Sequence, residues 1–319
     1  MTDPVTAQLP PGVVGWLDRV LPGQRIISAK RLPGGYSNLN VVIVTGAGRR
    51  LVLRRYVRSN ACAVEAALAA RLGGVVPVPE VVAADPDGTG AGEPVLLSNF
   101  VDGVAVSQAL AAGSSQDAAA LGRAAGAALA AIGTIRFASG GFFGGADLVP
   151  SQDDAILPGS LPGFVDRCLA GGSASHVLSP GEQDGLRELA RRVAPLLAEV
   201  AGAAQLVHCD YNPKNLLAAP DPAGGWSVTA VLDWEFAFSG SPLADIGNML
   251  RFGDEIPAPF AGEFIAGYQA AGGELPARWR EISEALDLYA LADFLTRPPG
   301  HVFIAKAAAV IRERIAADR

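Results

Sequence analysis

Apolar and polar positions follow one period through the first hundred residues and another through the rest. Residues 13–21, V-V-G-W-L-D-R-V-L, place apolar side chains every three to four positions and predict a short amphipathic helix. The next stretch alternates β-rich runs with glycine turns. It predicts a strand ending at Leu32, a turn at Pro33-Gly34-Gly35, a strand over Leu39–Thr45, a turn over Gly46–Gly48 and a strand over Leu51–Tyr56, together an antiparallel meander. Residues 61–72, A-C-A-V-E-A-A-L-A-A-R-L, are strong helix formers with Glu65 in the first half. Two further strands are expected in V-P-V-P-E-V-V-A-A-D and E-P-V-L-L-S-N-F-V, on either side of a turn-rich segment. After Asp102-Gly103 the pattern turns helical. Residues 104–135 and 164–200 read as helices, the latter broken by Gly, Ser and Pro. A strand–loop–strand surrounds V-H-C-D-Y-N-P-K-N-L-L, a short strand pair lies in W-S-V-T-A-V-L-D-W-E-F-A, and helices dominate from Pro242 onward. No internal repeat appears. The pattern predicts an α+β chain with a sheet-rich first part carrying one helix and a mainly helical remainder, the boundary lying near Val101–Gly103.

Composition narrows this only in part. Half of the 319 residues are hydrophobic and 18% are charged, enough apolar material for a sizeable core. The formal net charge of −7 and the lack of any Lys/Arg run give no reason to expect a nucleic-acid partner. Cys62, Cys168 and Cys209 are odd in number, far apart and form no C-x-x-C pair, so neither a zinc site nor a disulfide framework is expected. The apolar stretch from Ala118 to Ile135 is Ala/Gly-rich and carries Arg123; it reads as a buried helix, not a membrane span. With no basic segment followed by an apolar run at the start, no secretory leader is expected, and the expected setting is cytoplasmic.

The chemistry concentrates in residues 208–215, H-x-D-x-x-x-x-N, followed eighteen residues later by Asp233 at the end of an apolar run. Buried polar side chains are costly unless paired, so His208, Asp210 and Asn215 either satisfy one another or act on something else. The pairing of this motif with Asp233 resembles the catalytic and metal-binding segments of the protein-kinase superfamily, whose phosphoryl transfer needs a carboxylate near the acceptor hydroxyl and hard oxygen ligands for Mg²⁺ on the phosphates. The wording H-C-D-Y-N-P-K-N-L-L, then V-L-D-W-E, then Asp245 resembles the aminoglycoside phosphotransferase family, choline-kinase-like relatives included, within the protein-kinase-like superfamily. The resemblance is densest over residues 205–250.

It implies a bilobal fold, with a nucleotide-binding lobe over residues 1–100, a hinge near 98–103 and a catalytic and acceptor-binding lobe over 104–319. Asp210 becomes the catalytic base or acceptor-orienting carboxylate, and Asn215 and Asp233 the Mg²⁺ ligands. His208 and Asp245 become supports of the catalytic loop. In the first lobe, Gly34 and Gly35 would let backbone N–H groups approach phosphate, with Ser37 and Asn38 adding donors. Arg54 stands where protein kinases carry a lysine, with Glu65 as its ion-pair partner and Arg55 as the fallback; an arginine presents a planar fork instead of a point charge. The backbone of Ser98 and Phe100 would meet the adenine edge. Glu235 is open to either a supporting role at the metal or a structural one. Cys209 reads as a small buried residue, and His176 and His301 as structural.

The implied activity is ATP- and Mg²⁺-dependent phosphorylation of a hydroxyl on a small molecule, with GTP as the alternative donor. An aminoglycoside or other basic antibiotic leads among the acceptors, with choline, homoserine, sugars and amino sugars as the metabolic alternative. A cationic acceptor would look for carboxylates, and Asp254, Glu255, Asp287 and Asp293 are the candidates. The run from Asp233 reaches Asp245 in twelve residues with no Ala-Pro-Glu, which argues against a large protein substrate. Neither a membrane nor an obligate protein partner is indicated. A catalytically silent nucleotide-binding scaffold is disfavoured because Asp210, Asn215 and Asp233 are all present.

Overall fold

A computed structural model describes residues 9–32, 38–151, 160–222 and 224–317. The chain divides into two compact units. The first comprises residues 1–103 with two later returns, 144–149 and 229–235; the second comprises the remainder.

In the first unit α1 (Pro11–Val20) precedes β1 (Ile26–Arg31), β2 (Asn38–Thr45), β3 (Arg50–Tyr56), α2 (Cys62–Leu72), β4 (Val81–Asp85) and β5 (Val95–Asn99). The strands form one antiparallel sheet of order β1-β2-β3-β5-β4. Alternation along β3 sorts its side chains. Leu51 and Leu53 join Val13, Trp16 and Leu17 of α1, with Ile43, Val95 and Leu97, in a buried cluster on one face. Tyr56 lies with Cys62 of α2 and Leu96 of β5 on the other. Arg54 shares the parity of Tyr56, so the period-2 pattern delivers it to the α2 face. Gly48, at φ 79°, supplies the left-handed residue that closes the β2–β3 hairpin.

The second unit holds β6 (Val104–Ala105), α3 (Val106–Ala112), α4 (Ser115–Ile132), β7 (Gly141–Phe142), α5 (Ser160–Ala170), α6 (Pro180–Val193), β8 (Gln205–Val207), β9 (Leu216–Pro220), the start of β10 (Trp226–Val231), β11 (Phe238–Gly240), α7 (Leu243–Leu250), α8 (Ala258–Ala270), α9 (Trp279–Phe294) and α10 (Val302–Ala317). β8 pairs antiparallel with β11, which pairs with β7, and β6 pairs with β9. Helix starts follow the sequence: Ser114 and Asp117 form a capping box at α4, and Ser179 and Glu182 form another at α6, where Pro180 opens the helix.

The expected strand pair in residues 226–237 is only half present. β10 stops at Val231, and the chain turns at Asp233, whose φ is 67°. The Trp234 indole N–H donates back to the Val231 carbonyl at 3.1 Å, fixing the turn in place of a second strand. No helix among the described residues is long and apolar enough to cross a membrane.

The Ala/Gly-rich α4 is explained by its neighbour α8. A Cβ at Gly122 would lie 2.4 Å from the Phe260 carbonyl oxygen and one at Gly126 2.0 Å from that of Phe264; across the contact, one at Gly267 would lie 2.4 Å from that of Arg123. The glycines let the two backbones touch. Gly126→Ala should therefore destabilise the protein by about 1–3 kcal/mol in urea denaturation, although alanine is the better helix former by ~1 kcal/mol. Gly181→Ala, in α6 where a Cβ meets nothing within 4 Å, should cost no stability.

Candidate functional site

The loop after β8 carries the first constellation, wholly within the second unit. Its backbone is gripped by α7. The Asp245 carboxylate accepts the N–H of His208 at Oδ2 and that of Cys209 at Oδ1, both at 2.8 Å. One turn later Asn248 donates from Nδ2 to the Cys209 carbonyl at 2.9 Å; the i, i+3 spacing puts both side chains on one helix face. Cys209, held on both sides, sits at φ 67°, a left-handed conformation that costs a side-chain-bearing residue roughly 1–2 kcal/mol. Burial, with Asp245 and Asp210 adding to it, pushes the Cys209 thiol far above its ordinary value, so it has no thiolate chemistry at neutral pH.

His208 is fully buried, and its Nδ1 accepts the N–H of Asp210 at 3.2 Å. A neutral ring therefore carries its proton on Nε2. The ring stands edge-on to Tyr211 at 5.9 Å, and the Tyr211 hydroxyl donates to the Ala125 carbonyl of α4 at 2.7 Å. The loop is thus tied to two helices before its functional side chains are placed. Asp210 then receives an amide on each carboxylate oxygen: Asn212 Nδ2 at 2.9 Å on Oδ1 and Asn215 Nδ2 at 2.7 Å on Oδ2. Asn215 Nδ2 also donates to the Asp210 carbonyl at 2.9 Å. The Asn215 amide nitrogen is fully committed, which leaves Oδ1 as its remaining polar atom.

The second constellation lies in the first unit. Arg54 Nη2 donates to Asp233 Oδ1 at 2.6 Å and stands 3.2 Å from Glu65 Oε1 and 3.6 Å from Glu235 Oε2. Asn38, buried as the first residue of β2, donates to Glu235 Oε2 at 2.7 Å. Oxygens of Glu65, Asp233 and Glu235 lie within 4.8 Å of one another. Three carboxylates thus surround one guanidinium. Burial pushes Glu65 up to about 8, with Asp233 and Glu235 adding to the rise and Arg54 opposing it. Burial works against the charge on Arg54, but Glu65 and Asp233 outweigh it and hold the guanidinium more firmly protonated than usual. Arg55 points to the opposite face and forks onto Glu93, with Nη2–Oε2 at 3.1 Å.

The structure therefore brings His208, Asp210, Asn215 and Asp245 together in one unit and Asn38, Arg54, Glu65 and Asp233 together in the other. Ser98 is buried in β5. The Phe100 N–H is already donated to the Arg50 carbonyl at 3.1 Å, so its backbone offers a carbonyl only. Gly34, Gly35 and Ser37 lie outside the described residues. Two participants were missed by sequence reasoning, Asn248 and Asn212. The signal for Asn248 was present as a second polar residue three positions after Asp245 on an otherwise apolar helix. Of the carboxylates considered for a cationic acceptor, Asp287 is buried between Arg251 at 2.7 Å and Arg314 at 2.8 Å. Glu255 pairs with Lys306, and Asp293 with Arg297 at 2.9 Å. Asp254 is exposed.

The sequence profile of the phosphotransferase enzyme family matches residues 28–282. The chain belongs to this family. It is a phosphotransferase, a kinase with an alcohol group as acceptor. No curated protein matches it. Among solved structures, aminoglycoside phosphotransferase APH(4)-Ia in ternary complex with ADP and hygromycin B is similar at 18% identity and TM-score 0.66, over 92% of this chain and 93% of that one. A candidate fructosamine-3-kinase from Thermobifida fusca YX-ER1 is similar at 18% identity and TM-score 0.64, over 96% and 100%. Macrolide 2'-phosphotransferase MphH from Brachybacterium faecium is similar at 18% identity and TM-score 0.59, over 97% of each chain. At these identities the likeness establishes the protein-kinase-like bilobal fold.

In this phosphotransferase the Asp245 clamp has a consequence for stability. Burial raises Asp245 to about 7, against the lowering effect of the His208 and Cys209 N–H groups, while Asp210 adds to the rise. Between the ordinary carboxylate value near 4 and about 7, the folded state binds more protons at this site than the unfolded one. Stability is then greatest at the acid end of that window and falls as pH rises through it, by up to about 1.4 kcal/mol per pH unit. Urea midpoints from pH 4 to pH 8 should show this fall, and Asp245→Asn should flatten its share of it.

Proposed function

We propose that the protein transfers the γ-phosphoryl group of ATP to a hydroxyl of a small molecule, with Mg²⁺ as cofactor. The observation that carries this reading is Asp210, a carboxylate held on both oxygens by asparagine amides at the end of a loop clamped by Asp245 and Asn248. Such a carboxylate is oriented before any acceptor arrives. It would accept the proton of the acceptor hydroxyl as the oxygen attacks phosphorus, and alignment is the larger part of what phosphoryl transfer asks of a protein. His208 and Asp245 act through the loop backbone as positioning residues.

Asn215 Oδ1 and the Asp233 carboxylate would hold the cation. The donor set fits: both are hard oxygen ligands, and the excess of carboxylate over guanidinium around Arg54 leaves negative charge that a divalent ion would balance. When bound, Mg²⁺ neutralises charge on the transferred phosphate. Arg54, steadied by Glu65, would direct its fork at the α/β-phosphates. Asn38, with Gly34, Gly35 and Ser37, would complete the phosphate loop, and the backbone of Ser98 and Phe100 would line the adenine site. On this reading residues 1–100 form the nucleotide lobe and 104–319 the catalytic and acceptor lobe, in a cytoplasmic enzyme.

A neighbour of this fold is complexed with ADP and hygromycin B, which supports adenine-nucleotide use and a small-molecule acceptor. Antibiotic resistance of the aminoglycoside or macrolide kind and metabolic phosphorylation of a sugar-like acceptor both fall within the reading, supported by different neighbours. Competition between ATP and GTP decides the donor. Asp210→Ala should lower turnover in an ADP-release assay by about 10²–10⁴-fold while the ATP Kd from calorimetry changes less than about threefold. Asn215→Ala and Asp233→Ala should also abolish turnover, with a raised Mg²⁺ requirement for ATP binding. Unimpaired turnover in Asp210→Ala would refute the assignment.

A further inference from the structure

The charge left exposed on the Asp210 loop is positive. Lys214 lies four residues after Asp210, no more than about 14 Å of fully extended chain. Its backbone N–H donates to the Asn212 side chain, the same side chain that holds Asp210. The Lys214 ammonium stands 5.2 Å from the centre of the Phe303 ring. Phe303 at the start of α10 stacks on Phe294 at 5.1 Å and on Phe252 at 6.3 Å, and His301 flanks it at 5.6 Å. All three phenylalanines are half-buried, so a part-open aromatic wall adjoins the loop.

Three of the four carboxylates considered for a cationic acceptor are spent on basic partners of their own. Asp287 serves Arg251 and Arg314, Glu255 serves Lys306, and Asp293 serves Arg297. Asp254 is a single exposed carboxylate on the turn beside Glu255. Lys214 has no carboxylate partner among the described residues, and both oxygens of Asp210, in the same loop, accept asparagine amides. Phe252 and Phe294 already face Arg251, at 5.8 and 5.2 Å, and Phe252 faces Lys306 at 5.5 Å, so a polycationic acceptor would meet further cations here and the ammonium of Lys214.

We propose that Lys214 and Phe303 form an acceptor subsite for a hydroxylated molecule that joins a planar or apolar body to an anionic group, an aromatic hydroxy acid being the simplest example. This rests on the phosphotransferase reading of Asp210. The ring wall would take the apolar body, and the ammonium the anion. The subsite selects against polyamino sugars by leaving their ammonium groups unpaired beside Lys214.

The test compares β-phenyllactate with hygromycin B as acceptors for the full-length protein. β-Phenyllactate should give the higher kcat/KM in an ADP-release assay. Lys214→Glu should raise its KM by about 10–100-fold, the loss of one charged contact, with kcat changed less than about threefold. Phe303→Ala should raise KM in the same sense, and Asp254→Asn should leave it unchanged. Calorimetric binding of β-phenyllactate keeps the inference readable if neither compound turns over: tenfold weaker binding to Lys214→Glu supports it. Equal binding to native and Lys214→Glu protein, no binding to either, or tighter native binding of hygromycin B overturns it. Loss of ATP binding, or turnover that survives Asp210→Ala, counts against the kinase assignment instead and leaves the binding comparison standing.

Discussion

Two backbone N–H groups, those of His208 and Cys209, converge on the carboxylate of Asp245 at a point with no solvent exposure. Burying a carboxylate is expensive, and N–H donors on both oxygens are what offset the cost. The same bonds hold Cys209 in a left-handed conformation that its side chain disfavours. The direction in which the next residues leave β8 follows from this. Asp210 is placed by the turn at Cys209, and Asn212 and Asn215 are placed by Asp210. The rest of the loop's geometry depends on one buried charge in a helix 37 residues further along the chain.

Buried carboxylates elsewhere answer the same cost in other ways. Asp287 does so with two arginines, one on each oxygen, and forms a closed ion network. Glu65 does so incompletely: it shares Arg54 with Asp233 and Glu235, and its raised pKa reports the shortfall. The three cases separate structure from function on physical grounds. A satisfied buried carboxylate needs nothing more. An under-compensated group of carboxylates such as Glu65, Asp233 and Glu235 is one that a cationic ligand would stabilise.

The meander and the first helices were legible because period-2 alternation and glycine turns are local signals. The same alternation decided Arg54 against Arg55, since one residue of register changes the face. His208, Asp210 and Asn215 were legible because their chemistry is spaced within a single loop. What escaped was set at a distance. The fate of Asp287 depends on Arg251 and Arg314, 36 and 27 residues away, and nothing in the local pattern distinguishes it from a carboxylate free to meet a substrate. Asn248 was hidden for the opposite reason, being a second polar residue, after Asp245, on a helix whose remaining positions read as core. The missing strand after Val231 was lost to Asp233, where the turn won over the apolar run.

The pairing of Asp210 with two asparagine amides has a further effect on its surroundings. A lysine four residues from a carboxylate would ordinarily be drawn to it as an ion pair. Here each carboxylate oxygen accepts an asparagine amide, and Lys214 turns to the face of Phe303. Cation–π attraction holds an ammonium in place without removing its charge. The loop therefore carries its carboxylate on asparagine amides and its ammonium on an aromatic face. On the proposed reading, an acceptor that brings a hydroxyl to the first and an anion to the second would meet both at once, whereas one bearing only ammonium groups would be attracted by one and repelled by the other.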